Sequence, residues 1–130
     1  MKKIVILMLY VSCLSSSYSS LAHTQGPVNK NLLTDSGKAK LYLTVGNLSD
    51  NAEEYSIEIN GKKLLDQFGQ YRLLKVPANR TKKIPLVLKA TKPNVVEKKT
   101  ICSTSEGANV GMFRTKVCTV AKVYWNKEVS

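Results

Sequence analysis

Few residues in this 130-residue chain are of a type that could do chemistry, and those few are far apart. His23 is the only histidine. Two cysteines, Cys102 and Cys118, lie in the C-terminal part, and a third, Cys13, lies in an apolar leader. A nucleophilic site needs a base beside its nucleophile and a third group to orient that base. One histidine near the start of the chain supplies no Ser-His-Asp or Cys-His set within a folded core. The acidic residues come mostly singly, and Glu53-Glu54 precedes an alternating run as solvated charge, so no carboxylate pair is arranged for acid/base work. No glycine-rich phosphate loop is present, since Asn60-Gly61-Lys62 reads as a hairpin turn. An N-terminal histidine can chelate copper, but nothing gathers around His23 to complete a metal site. The expectation is a protein that is not an enzyme and has no cofactor and no metal. Cys102 and Cys118 remain. In an exported domain two cysteines most simply form one disulfide, the alternative being two buried thiols.

Export is itself read from the first residues. Lys2 and Lys3 start the chain with positive charge, and Ile4 to Val11 is an apolar run too short to span a bilayer. Ser15 to Ser20 is serine-rich, and Ser20-Leu21-Ala22 offers small residues where a signal peptidase cuts. The expected signal peptide is 1–22, leaving 23–130 as one domain. Tyr10-Val11-Ser12-Cys13 is a rival cleavage box that would lipidate Cys13. The short Lys-Lys start suggests a bacterial exporter and a periplasmic protein, with the cell surface or secretion as the alternative.

Removing Lys2 and Lys3 takes the net charge from +11 to +9. Such a charge suits an acidic partner or an anionic envelope surface. The pairs Lys62-Lys63, Lys82-Lys83 and Lys98-Lys99 equally suit the blunting of sheet edges. Nucleic acid is not an expected partner of an exported protein.

The elements that must position these residues read as short strands. Met112 to Trp125 has the strongest strand chemistry. Its odd positions, Phe113 through Trp125, carry no charge, while its even positions carry Arg114, Lys116 and Lys122. Successive side chains in a strand face opposite ways, so the odd face can be buried. Val28 to Leu33, Lys38 to Gly46, Glu53 to Asn60, Tyr71 to Val76, Thr81 to Thr91 and Val95 to Ser103 supply further strands between turn signals. Asn60-Gly61 has the chemistry of a type I′ hairpin turn, with Lys62 to Phe68 as the returning arm. Pro85 cannot donate to a ladder and puts its strand at an edge or a bulge. Asn47-Leu48-Ser49 and Asn79-Arg80-Thr81 match the N-glycosylation pattern. About seven strands and no clear helix indicate an all-β, immunoglobulin-like seven-stranded sandwich. If the last two strands form a hairpin, Cys102 and Cys118 pair across it. An exposed final strand would be a template for another chain.

The stretches Lys40 to Asn47, Leu73 to Thr81 and Ala121 to Trp125 resemble, in order, the second strand, a Pro-containing turn before a strand, and the last strand of one family domain. This is the N-terminal immunoglobulin-like domain of the periplasmic chaperones of the chaperone–usher pilus pathway. The resemblance implies a chaperone for pilus or surface-appendage subunits that acts by lending a strand. Phe113, Thr115 and Val117 would be the inserted alternating set. Lys122, with Lys30 in the place of the family's first-strand arginine, would hold the subunit's C-terminal carboxylate. A Cys102–Cys118 bridge would match one branch of the family. The family has two domains, and Ser130 stands where the second would begin, so the resemblance implies a single-domain version, as monomer or homodimer. The competing function is a structural or surface-interaction protein: a minor appendage component, an adhesin or a cationic envelope-associated protein.

Overall fold

The computed structural model describes residues 23–106 and 114–128. The expected signal peptide, Cys13, Met112 and Phe113 lie outside the described residues. Among the described residues nine strands form two sheets: β1 (His23–Gly26), β2 (Asn29–Thr34), β3 (Lys38–Asn47), β4 (Glu53–Ile59), β5 (Lys62–Lys63), β6 (Leu73–Val76), β7 (Thr81–Lys89), β8 (Val96–Ser105) and β9 (Lys116–Trp125). No helix occurs among the described residues. The first sheet has the order β1-β3-β7. The second has the order β2-β9-β8-β4-β5, with β6 also on β4. If β1 and β2 are taken as halves of one strand and the two-residue β5 is set aside, seven strands remain, as the sequence indicates.

The core forms where the inward-facing sets of the two sheets meet. Ala39, Leu41, Leu43 and Val45 from β3, with Leu86 and Leu88 from β7, face Tyr55, Ile57, Ile101, Ala121 and Val123 from the second sheet. Burial alternates most plainly along β3 and the second half of β7, as in a half-buried strand, whereas β4 and β8 each carry a run of three buried residues. Val76, fully buried at the end of β6, closes one end of the sandwich.

Three turns show why the register holds. Asn60 and Gly61 take φ of 51° and 81°, as a type I′ turn needs. They set Ile59 opposite Lys62. The returning arm is shorter than Lys62 to Phe68, because Asp66 diverts the chain by accepting the N–H groups of Phe68 and Gln70. Gly37 has φ +80°, and a Cβ there would lie 3.2 Å from the Trp125 ring. Trp125 Nε1 in turn donates to the carbonyl of Asp35. Asn47, fully buried, donates to the carbonyls of Asn51, Val76 and Pro77 and accepts from Ser49. Its amide is therefore a structural hub, inaccessible to glycosylation in the folded chain.

Pro85 lies in β7, at the edge of the first sheet, in agreement with its missing N–H. The N-terminal segment differs from expectation. Residues 23–26 form β1, paired antiparallel with β3, and after the cis Gly26–Pro27 bond the chain crosses to the other sheet and runs parallel to β9 as β2. Polar His23 and Gln25 at the inward positions of β1 hide this strand from a reading based on apolar alternation.

Candidate functional site: the two halves of the final strand

Because the first strand changes sheets, β9 has two different halves. Val120 to Trp125 lies between β8 and β2. Lys116 to Thr119 pairs with β8 alone, and among the described residues nothing hydrogen-bonds to its other side. The final strand is thus an edge over its first half and interior over its second.

The backbone groups on this edge follow from the register. Cys102 and Cys118 stand directly opposite with Cα atoms 4.1 Å apart, the spacing of a pair that exchanges no ladder bonds. In such a pair N–H and C=O point away from the partner strand. Thr115 O accepts from Ser105 N on β8, whereas Val120 N donates outward to Val28 O. Even-numbered residues therefore turn their backbone groups outward. Lys116 and Cys118 present them to the open edge, where an incoming strand would bond.

The side chains of the odd set turn inward. Val117 is half-buried opposite Ser103. Thr115 Oγ1 hydrogen-bonds to His23 Nδ1 and, at 3.4 Å, to Ser105 Oγ. Thr119 is fully buried and donates to Pro27 O. These contacts belong to a polar cluster behind the open edge that the sequence does not reveal. His23 is buried, with its ring centroid 4.8 Å from that of Tyr55. Its Nε2 lies 3.1 Å from Ser103 Oγ. Gln25 donates to Ile101 O and Thr119 Oγ1 and accepts from Ser103 Oγ. Since the Ser103 hydroxyl donates to Gln25, the network assigns the histidine proton to Nε2 and leaves Nδ1 to accept from Thr115.

His23 and Ser103 thus meet in the core, a contact the sequence does not reveal. Both are sealed from solvent, and the third member is an amide rather than a carboxylate. Burial lowers the His23 pKa below 6.5 and favours the neutral ring. The same environment pushes Tyr55 up to about 12, through burial and then the charge of Glu53. Nδ1 of His23 is engaged by the Thr115 hydroxyl. Among the described residues no three His, Cys, Asp or Glu side chains gather in a metal-binding group.

At the mouth of the open edge, Glu106 accepts from Ser56 Oγ and Lys63 Nζ and lies 3.6 Å from Arg114. The Ser56 hydrogen bond, followed by the lysine, holds its carboxyl below the usual range. Lys116 pairs with Glu58 on β4. The disulfide Cys102–Cys118 ties β8 to β9 within this edge half.

Lys122 lies in the interior half, on the outer face of the second sheet. It borders an open hollow with Asn31, Leu33, Val96 and Tyr124. Leu33 is 71 % exposed and Val96 62 %. Lys30 stands opposite the buried Ala121, one register step from the Asn31–Lys122 pair. Lys30 and Lys122 thus leave opposite faces of the sheet, and the two cations do not converge as a carboxylate clamp would.

Similarity to known proteins is confined to structure. No family model and no curated protein matches the sequence. Among solved structures, the fold is similar to the E. coli chaperone DraB, with 13 % identity and a TM-score of 0.55 over 78 % of this chain and 53 % of that one. It is similar to the periplasmic chaperone SfaE, with 11 % identity and a TM-score of 0.57 over 83 % of this chain and 60 % of that one. It is also similar to a PapD-like domain of human CEP192, with 6 % identity and a TM-score of 0.62 over 83 % of this chain and 87 % of that domain. The fold is that of the PapD-like immunoglobulin sandwich. The resemblance read from the sequence holds at this level. The chain spans about half the length of DraB and matches nearly a whole PapD-like domain.

Proposed function

We propose that this protein is an exported, non-enzymatic chaperone-like factor that holds a β-rich subunit of a surface appendage by strand addition at the Lys116–Thr119 edge. The observation that carries this reading is the open half of β9: a stretch with outward N–H and C=O groups, braced behind by a disulfide and a satisfied polar cluster. A template strand must stay flat while unpaired, and both braces serve that end. The similarity to two chaperones of the same fold supports it. In this reading the main chain of Lys116 and Cys118 pairs with the client, and Phe113, Thr115 and Val117 mark its path. Lys122, beside its apolar hollow, holds a client carboxylate as a point charge. Lys30, on the other face, contributes to the field rather than to a clamp.

The test exploits the alternation of backbone groups. Lys116→Pro removes an outward N–H without removing a bond to β8, while Lys116→Ala removes only the ion pair with Glu58. Native mass spectrometry of protein purified gently from its host envelope is expected to show a one-to-one complex with a small β-rich protein. Lys116→Ala should retain that complex and Lys116→Pro should lose it. A bare monomer in the wild type, or equal retention by both variants, would sink the reading.

A further inference from the structure

The first sheet carries a second surface that strand addition does not use. Along β3 the outward positions are Lys38, Lys40, Tyr42 and Thr44. Along β7 they are Lys83, Pro85, Val87 and Lys89. The register sets Lys38 opposite Lys89, Tyr42 opposite Pro85 and Thr44 opposite Lys83. Lys40 and Lys83 flank the Tyr42 ring, with Nζ 5.3 and 5.0 Å from its centroid. Tyr42 is 49 % exposed and Val87 54 %.

Acidic side chains are divided sharply between the two sheets. β1, β3 and β7 contain five lysines and no acidic residue, whereas the strands of the second sheet contain eight lysines interspersed with four glutamates. All four ion pairs found among the described residues involve Glu58, Glu97 or Glu106, none of which is on the first sheet. Like charges directly opposite in a sheet are destabilising. The Lys38–Lys89 pair is therefore a standing cost, as is Lys98–Lys122 on the second sheet, but on the first sheet no acidic side chain stands nearby in the strands to offset it.

We infer that the outer face of the first sheet binds an anionic lipid surface through Lys38, Lys40, Lys83 and Lys89, with Tyr42 and Val87 entering the headgroup layer. Three observations favour a bilayer over other polyanions. The basic residues are lysines only; phosphate chains and protein carboxylates are more often gripped by arginine forks, and lysine is depleted at protein interfaces. The face is a sheet surface rather than a groove that would track a nucleic-acid strand. Its centre is a tyrosine beside an exposed valine, the amphipathic chemistry of a membrane interface. Each lysine near an anionic bilayer contributes on the order of fivefold in binding, so the four act as a set.

The experiment is co-sedimentation of the protein, in the form its host makes, with vesicles of phosphatidylglycerol and phosphatidylcholine or of phosphatidylcholine alone. Binding is expected only to the anionic vesicles. The triple change Lys40→Gln, Lys83→Gln, Lys89→Gln should weaken it on the order of 100-fold. The equally charged control Lys62→Gln, Lys75→Gln, Lys98→Gln on the other sheet should weaken it by less than about threefold, since those lysines lie off the binding face. Replacing the same three face lysines with arginine keeps the charge and should keep binding. Lys89→Glu, which turns the repulsion with Lys38 into attraction, should fold at least as well as wild type and still bind more weakly. Lys116→Pro should leave vesicle binding unchanged, separating this surface from the strand edge. No binding to anionic vesicles, or equal losses in the two glutamine triples, would overturn the inference. Equally tight, face-dependent binding of a single-stranded oligonucleotide would overturn the lipid assignment.

Discussion

At the scale of single residues, His23 decides more than its position near the chain start suggests. It is neutral, buried and bonded through both ring nitrogens, and it fills the space behind the open edge. Burial holds its pKa in the folded state below 6.5, so the unfolded chain takes up the proton first. The stability it confers is complete above about pH 6.5 and declines as the pH falls through 6.5 toward the lower folded value. Urea midpoints measured from pH 8 to pH 5 should fall across that window, and His23→Gln should flatten the decline. Glu106 and Glu97 have lowered pKa values, so their contributions fade only in more acidic solution, below the ordinary carboxylate range. Ser103→Ala leaves the Nε2 proton without an acceptor and should cost about 1–3 kcal/mol at pH 8 by denaturant unfolding. A cost near zero would mean that water replaces the hydroxyl.

At the scale of elements, β8 and β9 form a long hairpin that serves as the spine of the second sheet. Its register runs from Val96 opposite Tyr124 to Thr104 opposite Lys116. Cys102 and Cys118 lock that register where β9 loses its second neighbour. A bridge with a sequence separation of 16 removes loop freedom from the unfolded chain, and its loss should cost about 3 kcal/mol. Replacing both cysteines by serine should lower the urea midpoint accordingly. Hydrogen exchange should rise most at the amides of Val117 and Thr119, which bond to β8 in the half of β9 that lacks β2 as a second support. Uniform loosening across β9 would show that the bridge does not specifically brace the edge.

At the scale of the whole molecule, two surfaces of different chemistry lie on different sheets. The open strand edge is a backbone template with little net field of its own. The outer face of the first sheet is a concentrated positive charge. Their responses to salt should therefore differ. Raising the ionic strength from about 0.05 to 0.5 M shortens the screening length roughly threefold. Vesicle binding should weaken by more than tenfold over this range. A client complex held by main-chain hydrogen bonds should weaken by less than about threefold. Equal salt dependence of the two would mean that one surface, not two, carries both interactions.

Much of the fold is legible in the sequence. The alternation of Leu41, Leu43 and Val45, the Asn60-Gly61 turn, the proline of an edge strand and the odd face of β9 all depend on neighbours in sequence. Period-two burial and turn chemistry are local properties. The pairing of Cys102 with Cys118 followed because those two cysteines flank one hairpin. The buried cluster of His23, Gln25, Ser103, Thr115 and Thr119 was not legible, because it joins residues 78 to 94 positions apart and its members look polar and exposed in sequence. Nor could alternation show that β1 and β2 belong to different sheets, which alone opens the first half of β9 and closes the second. The gathering of lysines on the first sheet's outer face was hidden for the same reason. Lys38, Lys40, Lys83 and Lys89 are scattered along the chain and become one face only when β3 and β7 pair. Sequence by itself determined most of the strands and the buried faces of those with apolar alternation, since those depend on local sterics and on the transfer of side chains out of water, but not β1, whose inward residues are polar. Only the tertiary structure decided which edge remains open and which charges stand together, since both depend on the partner each strand finds across the sheet.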